Sequence, residues 1–307
     1  MSRSLTLLVA TVLAFQAQPA GAWSRQGHML TAAIAYEELA VHDPQVLAKI
    51  DELMAKHPDR AVFEVAGGPK SDARVRRLFL EMARWPDDIR TTPFDHPTWH
   101  YAGRPVIDKQ HPPSPLPPDG TSGAAAEAYA LNLRTAGDKG ASAAERAVSL
   151  CWVMHLVGDI HQPLHSADEY TTSLPGGDRG GNLQFIRDPR SGEFMNLHAY
   201  WDGIVRNNGE VPEVTEQARS LTARLPRSQF PQLKNTTNGA AASAVWASEA
   251  YQIAQKVAYP STLETGAKLE EGKTLSDAYV AESTAAGERQ IVLSGYRMAD
   301  VLRSLLQ

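Results

Sequence analysis

Cysteine is nearly absent. Cys151 is the only one among 307 residues, so no disulfide can close within the chain. A chain of this length can rely on a buried core instead, and bound metal can add to it. Basic charge is not in excess either: 30 Lys and Arg stand against 35 Asp and Glu, a formal net charge of −5. That balance argues against a broad basic face that grips nucleic acid, but not against meeting a phosphate through metal ions. No apolar run is long enough to span a bilayer, and no internal repeat or low-complexity tail is present.

What the chain does have begins at its N-terminus. Arg3, the apolar stretch Leu5 to Phe15 and the small residues Ala20-Gly21-Ala22 form the pattern of a secretory signal over residues 1–22. Cleavage there makes Trp23 the first residue of the mature protein, which becomes one unit more acidic through the loss of Arg3. A signal, no disulfides and an alanine-rich composition fit a secreted or periplasmic bacterial protein. Asn235-Thr236-Thr237 has the glycosylation pattern, which matters only in a eukaryotic secretory route.

Residues 23–307 read as one mainly α domain. Apolar residues at helical spacing (Leu30, Ile34, Ala35, Leu39) predict a helix over 28–40. Asp43 and Pro44 start a second, and Ser71 to Trp85 forms a third that Pro86 ends. Residues 104–123, rich in proline, are expected to form an irregular loop. Helices follow over 124–136 and 142–160, the latter capped by Ser142. Asn182 to Asn196 reads as a small β-hairpin turning at 188–192, the one hairpin expected. Three more helices are predicted near 211–225, 240–257 and 275–306, the last with a break at Gly287 or Gly295.

The stretch Trp152 to His165 organises the rest. His155 and Asp159 stand four apart, so a helix puts them on one face, one turn above the other. Pro163 cannot continue that helix, so His165 lies where the backbone leaves it and can turn back toward the same cavity. Trp152, Val153, Leu156, Val157 and Ile160 bury the surface around them, and a buried imidazole or carboxylate needs a partner. A hydrogen-bonded core pair would meet that need as well as a metal. Other His, Asp and Trp residues fall in local patterns: Trp23 with His28, Trp85 with Asp87 and Arg90, and Trp99-His100-Tyr101. His198 and Asp202 repeat the four-residue spacing. Two helix-spaced pairs and a proline-exit histidine point to more than one zinc. His161 projects from another face and is expected to orient a ligand through a hydrogen bond rather than bind metal. His42, His57, His96 and His111, in predicted loops or helix ends, are expected to be solvated.

Together these motifs resemble the S1/P1 nuclease family, zinc-dependent nucleases that share a mainly helical, single-domain fold with bacterial phospholipase C. The resemblance runs from Trp23 to the closing segment at 290–299. It implies three zinc ions. Asp87, His100, His155 and Asp159 would hold one. Asp159 would bridge to a second, held also by His28 and by the α-amino and carbonyl groups of Trp23. His165, His198 and Asp202 would hold the third. Imidazole and carboxylate without thiolate suit hydrolytic zinc, whose charge lowers the pKa of water and stabilises a leaving oxygen.

The resemblance gives catalytic roles to Asp159 and to Arg90, which matches an arginine beside the phosphate; an ion pair with Asp88 is its alternative role. Tyr101 matches an aromatic that stacks on a base, with core packing as the alternative. Asn182 closes a glycine-rich segment, 176–182, that approaches the site, whereas Asp178 and Arg179 within it read as turn residues. Ala102-Gly103 departs from the fungal members, which carry a bulkier residue and an acid that contacts the base, so base recognition is open. The disulfides of those relatives are also missing.

The expected activity is cleavage of P–O3′ bonds in single-stranded DNA and RNA to leave 5′-phosphates, with release of phosphate from 3′-nucleotides, by a monomer with no membrane span. A phospholipase C shares the zinc arrangement, but would space His28 farther from Trp23 and carry Glu at 202. A non-catalytic zinc-binding protein would have no use for Arg90 beside a full ligand set.

Overall fold

The computed structural model describes residues 23–64, 71–235 and 239–307; the expected signal and part of the Asn235 sequon lie outside them. Helix α1 (Arg25–His42) is followed by α2 (Pro44–Met54), the short α3 (Arg60–Glu64) and α4 (Asp72–Asp88). Strands β1 (Ala102–Ile107) and β2 (Ser122–Gly123) precede α5 (Ala125–Gly137) and α6 (Ala143–His161). Strands β3 (Ala167–Tyr170), β4 (Phe185–Arg187) and β5 (Phe194–Asn196) lead into α7 (Leu197–Asp202), α8 (Val211–Arg224) and α9 (Ala242–Ile253). After β6 (Lys273–Thr274) the chain closes with α10 (Asp277–Leu306). The fold is mainly α.

Helix α6 is its axis. The Ser142 hydroxyl accepts from the Glu145 N–H, and the Glu145 carboxylate accepts from the Ser142 N–H at 3.0 Å, so two otherwise orphaned donors are satisfied at the start. From Ser149 to His161 every residue is buried, and the helix lies among α4, α5, α9 and α10. A helix buried all round draws its stability from packing. Each fully buried Leu, Val or Met contributes roughly 1.5–3 kcal/mol. Leu156→Ala, in the middle of this segment, is expected to cost about 2–5 kcal/mol.

Three expectations need correction. The third helix does not stop before Pro86 but runs through it to Asp88. Proline there forfeits only its own bond to the Met82 carbonyl, and the next carbonyl, that of Ala83, accepts from His155 Nδ1 at 2.8 Å. The closing helix is not broken: α10 runs for 30 residues. Its glycines mark close approaches instead. A Cβ at Gly287 would lie 2.4 Å from Ile204 Cγ2, and one at Gly295 would lie 2.6 Å from Ile34 Cβ on α1.

The third correction concerns the strands. The hairpin is present, with Phe185 opposite Asn196 and Arg187 opposite Phe194, and its turn uses Gly192 at φ 75°. It belongs, however, to a three-stranded sheet of order β5-β4-β6, and a second sheet has order β2-β1-β3. The start of the expected 104–123 loop is therefore strand. Arg104 N–H and Asp108 N–H donate to Ser166 and Tyr170 on the β3 side. Pro105, between them, would direct its missing N–H to the opposite side, beyond the end of β2, where no ladder partner is lost.

Candidate metal centre

Eight side chains expected as ligands converge beside α6. His155 Nε2 lies 3.1 Å from Asp159 Oδ2, one helical turn on. His100, at the end of the 3₁₀ turn Pro97–His100, brings Nδ1 to 3.1 Å from the same oxygen and 2.9 Å from His155 Nε2. His28 comes from α1, its ring stacked on His155 at 4.0 Å, with Nε2 3.3 Å from Asp159 Oδ1 and 3.8 Å from Asp87 Oδ2. Asp87 enters from the last turn of α4, which exists only because that helix passes Pro86. On the other side, His165 leaves the 3₁₀ turn Pro163–His165, and α7 supplies His198 and Asp202, 3.3 Å apart between Nε2 and Oδ2.

The donor atoms form three groups within 4.8 Å: His28 with Asp87 and His155, His100 with His155 and Asp159, and His165 with His198 and Asp202. Asp159 faces both of the first two groups, Oδ1 toward His28 and Oδ2 toward His100 and His155. Trp23 sits beside them, fully buried. Its indole Nε1 donates to Gly158 O at 3.0 Å, and Ser24 N–H donates to Asp202 O at 3.0 Å. The first residues are thus pinned between α6 and the end of α7.

The residues fit metal ions on two counts. His155, His165 and His198 each donate Nδ1–H to a main-chain carbonyl, of Ala83 (2.8 Å), His100 (2.7 Å) and Gly180 (2.6 Å), which turns Nε2 toward the cluster. Meanwhile both ring nitrogens of His28, Asp159 Oδ1 and His165 Nε2 are buried without a hydrogen-bond partner. Buried polar atoms without partners are costly, and a cation satisfies them together.

The electrostatics point the same way. Burial opposes charge on His155, but Asp159 and Asp87 beside it outweigh burial and push its pKa up to about 9. Burial would raise Asp159, yet His155, the hydrogen bond from His100 and the nearby His28 ring hold it well below the usual carboxylate range. Burial lowers His28, His100 and His165. It pushes Asp202 up to about 8, against the pull of His198 and Gln162. Protein groups alone leave Asp202 reluctant to ionise, whereas a cation beside it favours the carboxylate.

A cavity of about 710 Å³ opens over this centre, and Arg90, Tyr101 and Asn182 all line it. Arg90 donates to Asp87 Oδ1 (2.9 Å) and Asp95 Oδ1 (3.2 Å) and lies 3.1 Å from His100 Nε2. The alternative pair with Asp88 is not formed; Asp88 pairs with Arg84 and Arg25. Tyr101 is 38% exposed, too open for a core role, and its ring lies against Gly123. The Asn182 amide donates to Arg179 O and accepts from Asn196, which fixes it at the rim.

Some residues stand differently from expectation. His161 bonds no metal ligand. Its Nδ1 donates to Val157 O and its Nε2 accepts from Arg297 at 2.7 Å, because its spacing turns it toward α10. His57 is not solvated but buried, edge-on to Phe63 and Trp85, and burial lowers its pKa to about 4. Asp178 is no simple turn residue: it is buried, accepts from Tyr259 Oη at 2.8 Å and from Gln184, and burial raises it to about 6. Gln162 was missed altogether. Its Nε2 donates to Asp202 Oδ1 at 2.7 Å.

Comparison with known proteins agrees. The S1/P1 nuclease family profile matches residues 23–307. Endonuclease 3 of Arabidopsis thaliana is 23% identical over 324 residues, spanning 99% of this chain and 97% of its own length. Endonuclease 4 of the same plant is 24% identical over 330 residues, with the same shares. Nuclease S1 of Aspergillus oryzae is 28% identical over 162 residues, 49% of this chain and 52% of its own. The chain belongs to the S1/P1 nuclease family, and is a hydrolase of phosphodiester bonds in nucleic acid.

Proposed function

We propose that this chain is an exported, zinc-dependent endonuclease that cuts single-stranded DNA and RNA at the P–O3′ bond, leaving 5′-phosphates, and that also removes phosphate from 3′-nucleotides. The observation that carries the reading is the set of buried, partnerless donor atoms on His28, Asp159 and His165, gathered under a cavity wall that bears Arg90. A donor set of imidazole and carboxylate suits three zinc ions, with the amine of Trp23 joining His28 and Asp159 once the signal is removed. When bound, such ions supply an acidified water and offset the charge of the phosphate.

The chain's own residues do the rest. Asp159 is shared, its two oxygens facing His28 on one side and His100 and His155 on the other. Arg90 is held in place by Asp87 and Asp95, so its guanidinium is set beforehand for a phosphate oxygen whose charge grows during the reaction. Tyr101 offers a ring face for a neighbouring base, which a single strand can splay out and a duplex cannot. Asn182, fixed at the rim by Arg179 and Asn196, offers a polar contact to the same nucleotide. Export is supported by the leader-like residues 1–22, and no helix among the described residues is long and apolar enough to cross a membrane.

Hydrolysis of denatured DNA, duplex DNA and phosphatidylcholine, each with and without chelator, tests the reading. Chelator-sensitive cutting of denatured DNA to 5′-phosphate ends is expected, with duplex and lipid poorly used. Equal cutting of duplex, 3′-phosphate ends, or faster lipid hydrolysis would refute it.

A further inference from the structure

We infer that Asp168, steadied by Ser122, reads the base of the bound strand, and that guanine suits it best. This rests on the single-strand reading above and names a specificity residue for it. On β1, Gly103 stands opposite Ser122 of β2, while β3 runs parallel on the other side and carries Asp168. A Cβ built on Gly103 would lie 2.2 Å from Asp168 Oδ2 and 2.7 Å from Ser122 Oγ. The carboxylate therefore occupies the space that a side chain at 103 would take.

Asp168 is set up to receive a ligand. Ser122 Oγ donates to Asp168 Oδ2 at 2.8 Å, which fixes the plane of the carboxylate and leaves Oδ1 without a hydrogen bond among the described residues. No cation pairs with it there: Arg104, next along β1, is turned onto the Tyr251 ring at 4.2 Å. Asp168, Ser122, Gly103 and Tyr101 line the same cavity, so the carboxylate and the stacking ring face one bound nucleotide.

A carboxylate only accepts hydrogen bonds, and it repels phosphate. In a cleft for a polyanion it is useful only against a donor, and along a single strand of DNA the donors are the amino and ring N–H groups of the bases. Guanine presents N1–H and its 2-amino group side by side, matching two carboxylate oxygens. Adenine and cytosine each present one amino group. Thymine and uracil present one N–H between two carbonyl oxygens, which the carboxylate repels. The order expected is guanine, then adenine and cytosine, then thymine and uracil.

The test uses the zinc-loaded mature chain and single-stranded thymine oligonucleotides carrying one central test base, with cuts mapped at each linkage. Cutting beside guanine should exceed cutting beside thymine on the order of ten- to a hundred-fold. Asp168→Asn and Asp168→Ala should flatten this ranking, lowering cutting beside guanine far more than cutting of all-thymine strands, with unchanged zinc content and thermal midpoint. The double variant Gly103→Asp/Asp168→Ala, which moves the acid one strand over, should restore a preference. A flat ranking in wild type, a ranking that survives both Asp168 variants, or an equal loss on all-thymine strands overturns the assignment alone. Wild type that leaves every oligonucleotide intact overturns the single-strand reading, and this assignment with it.

Discussion

Gln162 Nε2 donates to Asp202 Oδ1 at 2.7 Å, tying the end of α6 to the last candidate ligand on α7 and leaving Oδ2 to face His198. Partners that hold a ligand in orientation are typically worth ten- to a hundred-fold in metal affinity. Gln162→Ala should therefore weaken one of three zinc equivalents by about that factor and leave two unchanged. A competitive titration with a chromogenic chelator reads this directly. Three sites of undiminished affinity would mean the bond only packs the two helices.

Arg90 can be separated from the metals. Arg90→Lys keeps a charge but loses the planar fork that Asp87 and Asp95 orient. Turnover should fall by roughly a hundred- to a thousand-fold, as for loss of one preorganised donor, with zinc content unchanged. Loss of zinc in step with activity would assign Arg90 to holding Asp87 instead.

Tyr101 stacks on a base if its exposed ring face is used. Tyr101→Ala should then weaken single-strand binding by about 1–3 kcal/mol and barely touch cleavage of a phosphodiester without a base. Equal losses on both would indicate packing against Gly123.

The N-terminus yields a sharper experiment. The indole of Trp23 is buried and bonded to Gly158, next to Asp159, so residues attached before it would leave a peptide nitrogen where the proposed zinc would take a free amine. A chain extended by even one residue before Trp23 should lack the zinc assigned to His28 and Asp159 and lose most activity, with little loss of stability. Proteolytic removal of the extension and added zinc should restore turnover. Three tightly held zincs and full turnover in the extended chain would end the idea.

His57 predicts a pH effect on stability apart from the metals. Its pKa lies near 4 in the fold against the ordinary 6.5, so the unfolded chain takes up the proton first. The stability it contributes is complete above pH 6.5 and is lost as the pH falls toward 4, a span of at most about 3 kcal/mol. His57→Phe should flatten that part of the curve of thermal midpoint against pH relative to wild type. Parallel curves would place the proton elsewhere.

The sequence reading picked out the candidate ligands because their patterns are local: a helical turn between His155 and Asp159, another between His198 and Asp202, and a proline exit before His165. The structure brings eight of those side chains together with Trp23 alongside. What stayed hidden depends on contacts between distant elements. Gln162 and Asp168 each act through a residue on another strand or helix, and nothing in their own neighbourhoods marks them. Pro86 was read as the end of a helix and Pro105 as part of a loop, yet each falls where the lost N–H matters little. His57 looked like a loop residue, and only the arrival of Phe63 and Trp85 around it makes it core.

The carbonyls of Ala83, His100 and Gly180 that steer three histidines carry a consequence for how this protein tolerates change. Every residue type owns a carbonyl, so replacing the side chain at 83 removes none of the steering. Alanine scanning would pass over Ala83 in silence. Disturbances of the main chain would not. A proline or a one-residue insertion just ahead of Gly180, which sits at φ 63°, should swing His198 away from its partners although no side chain near the metals has changed. Here the template is held in the peptide backbone, and a chain can drift far in sequence while that backbone keeps its course.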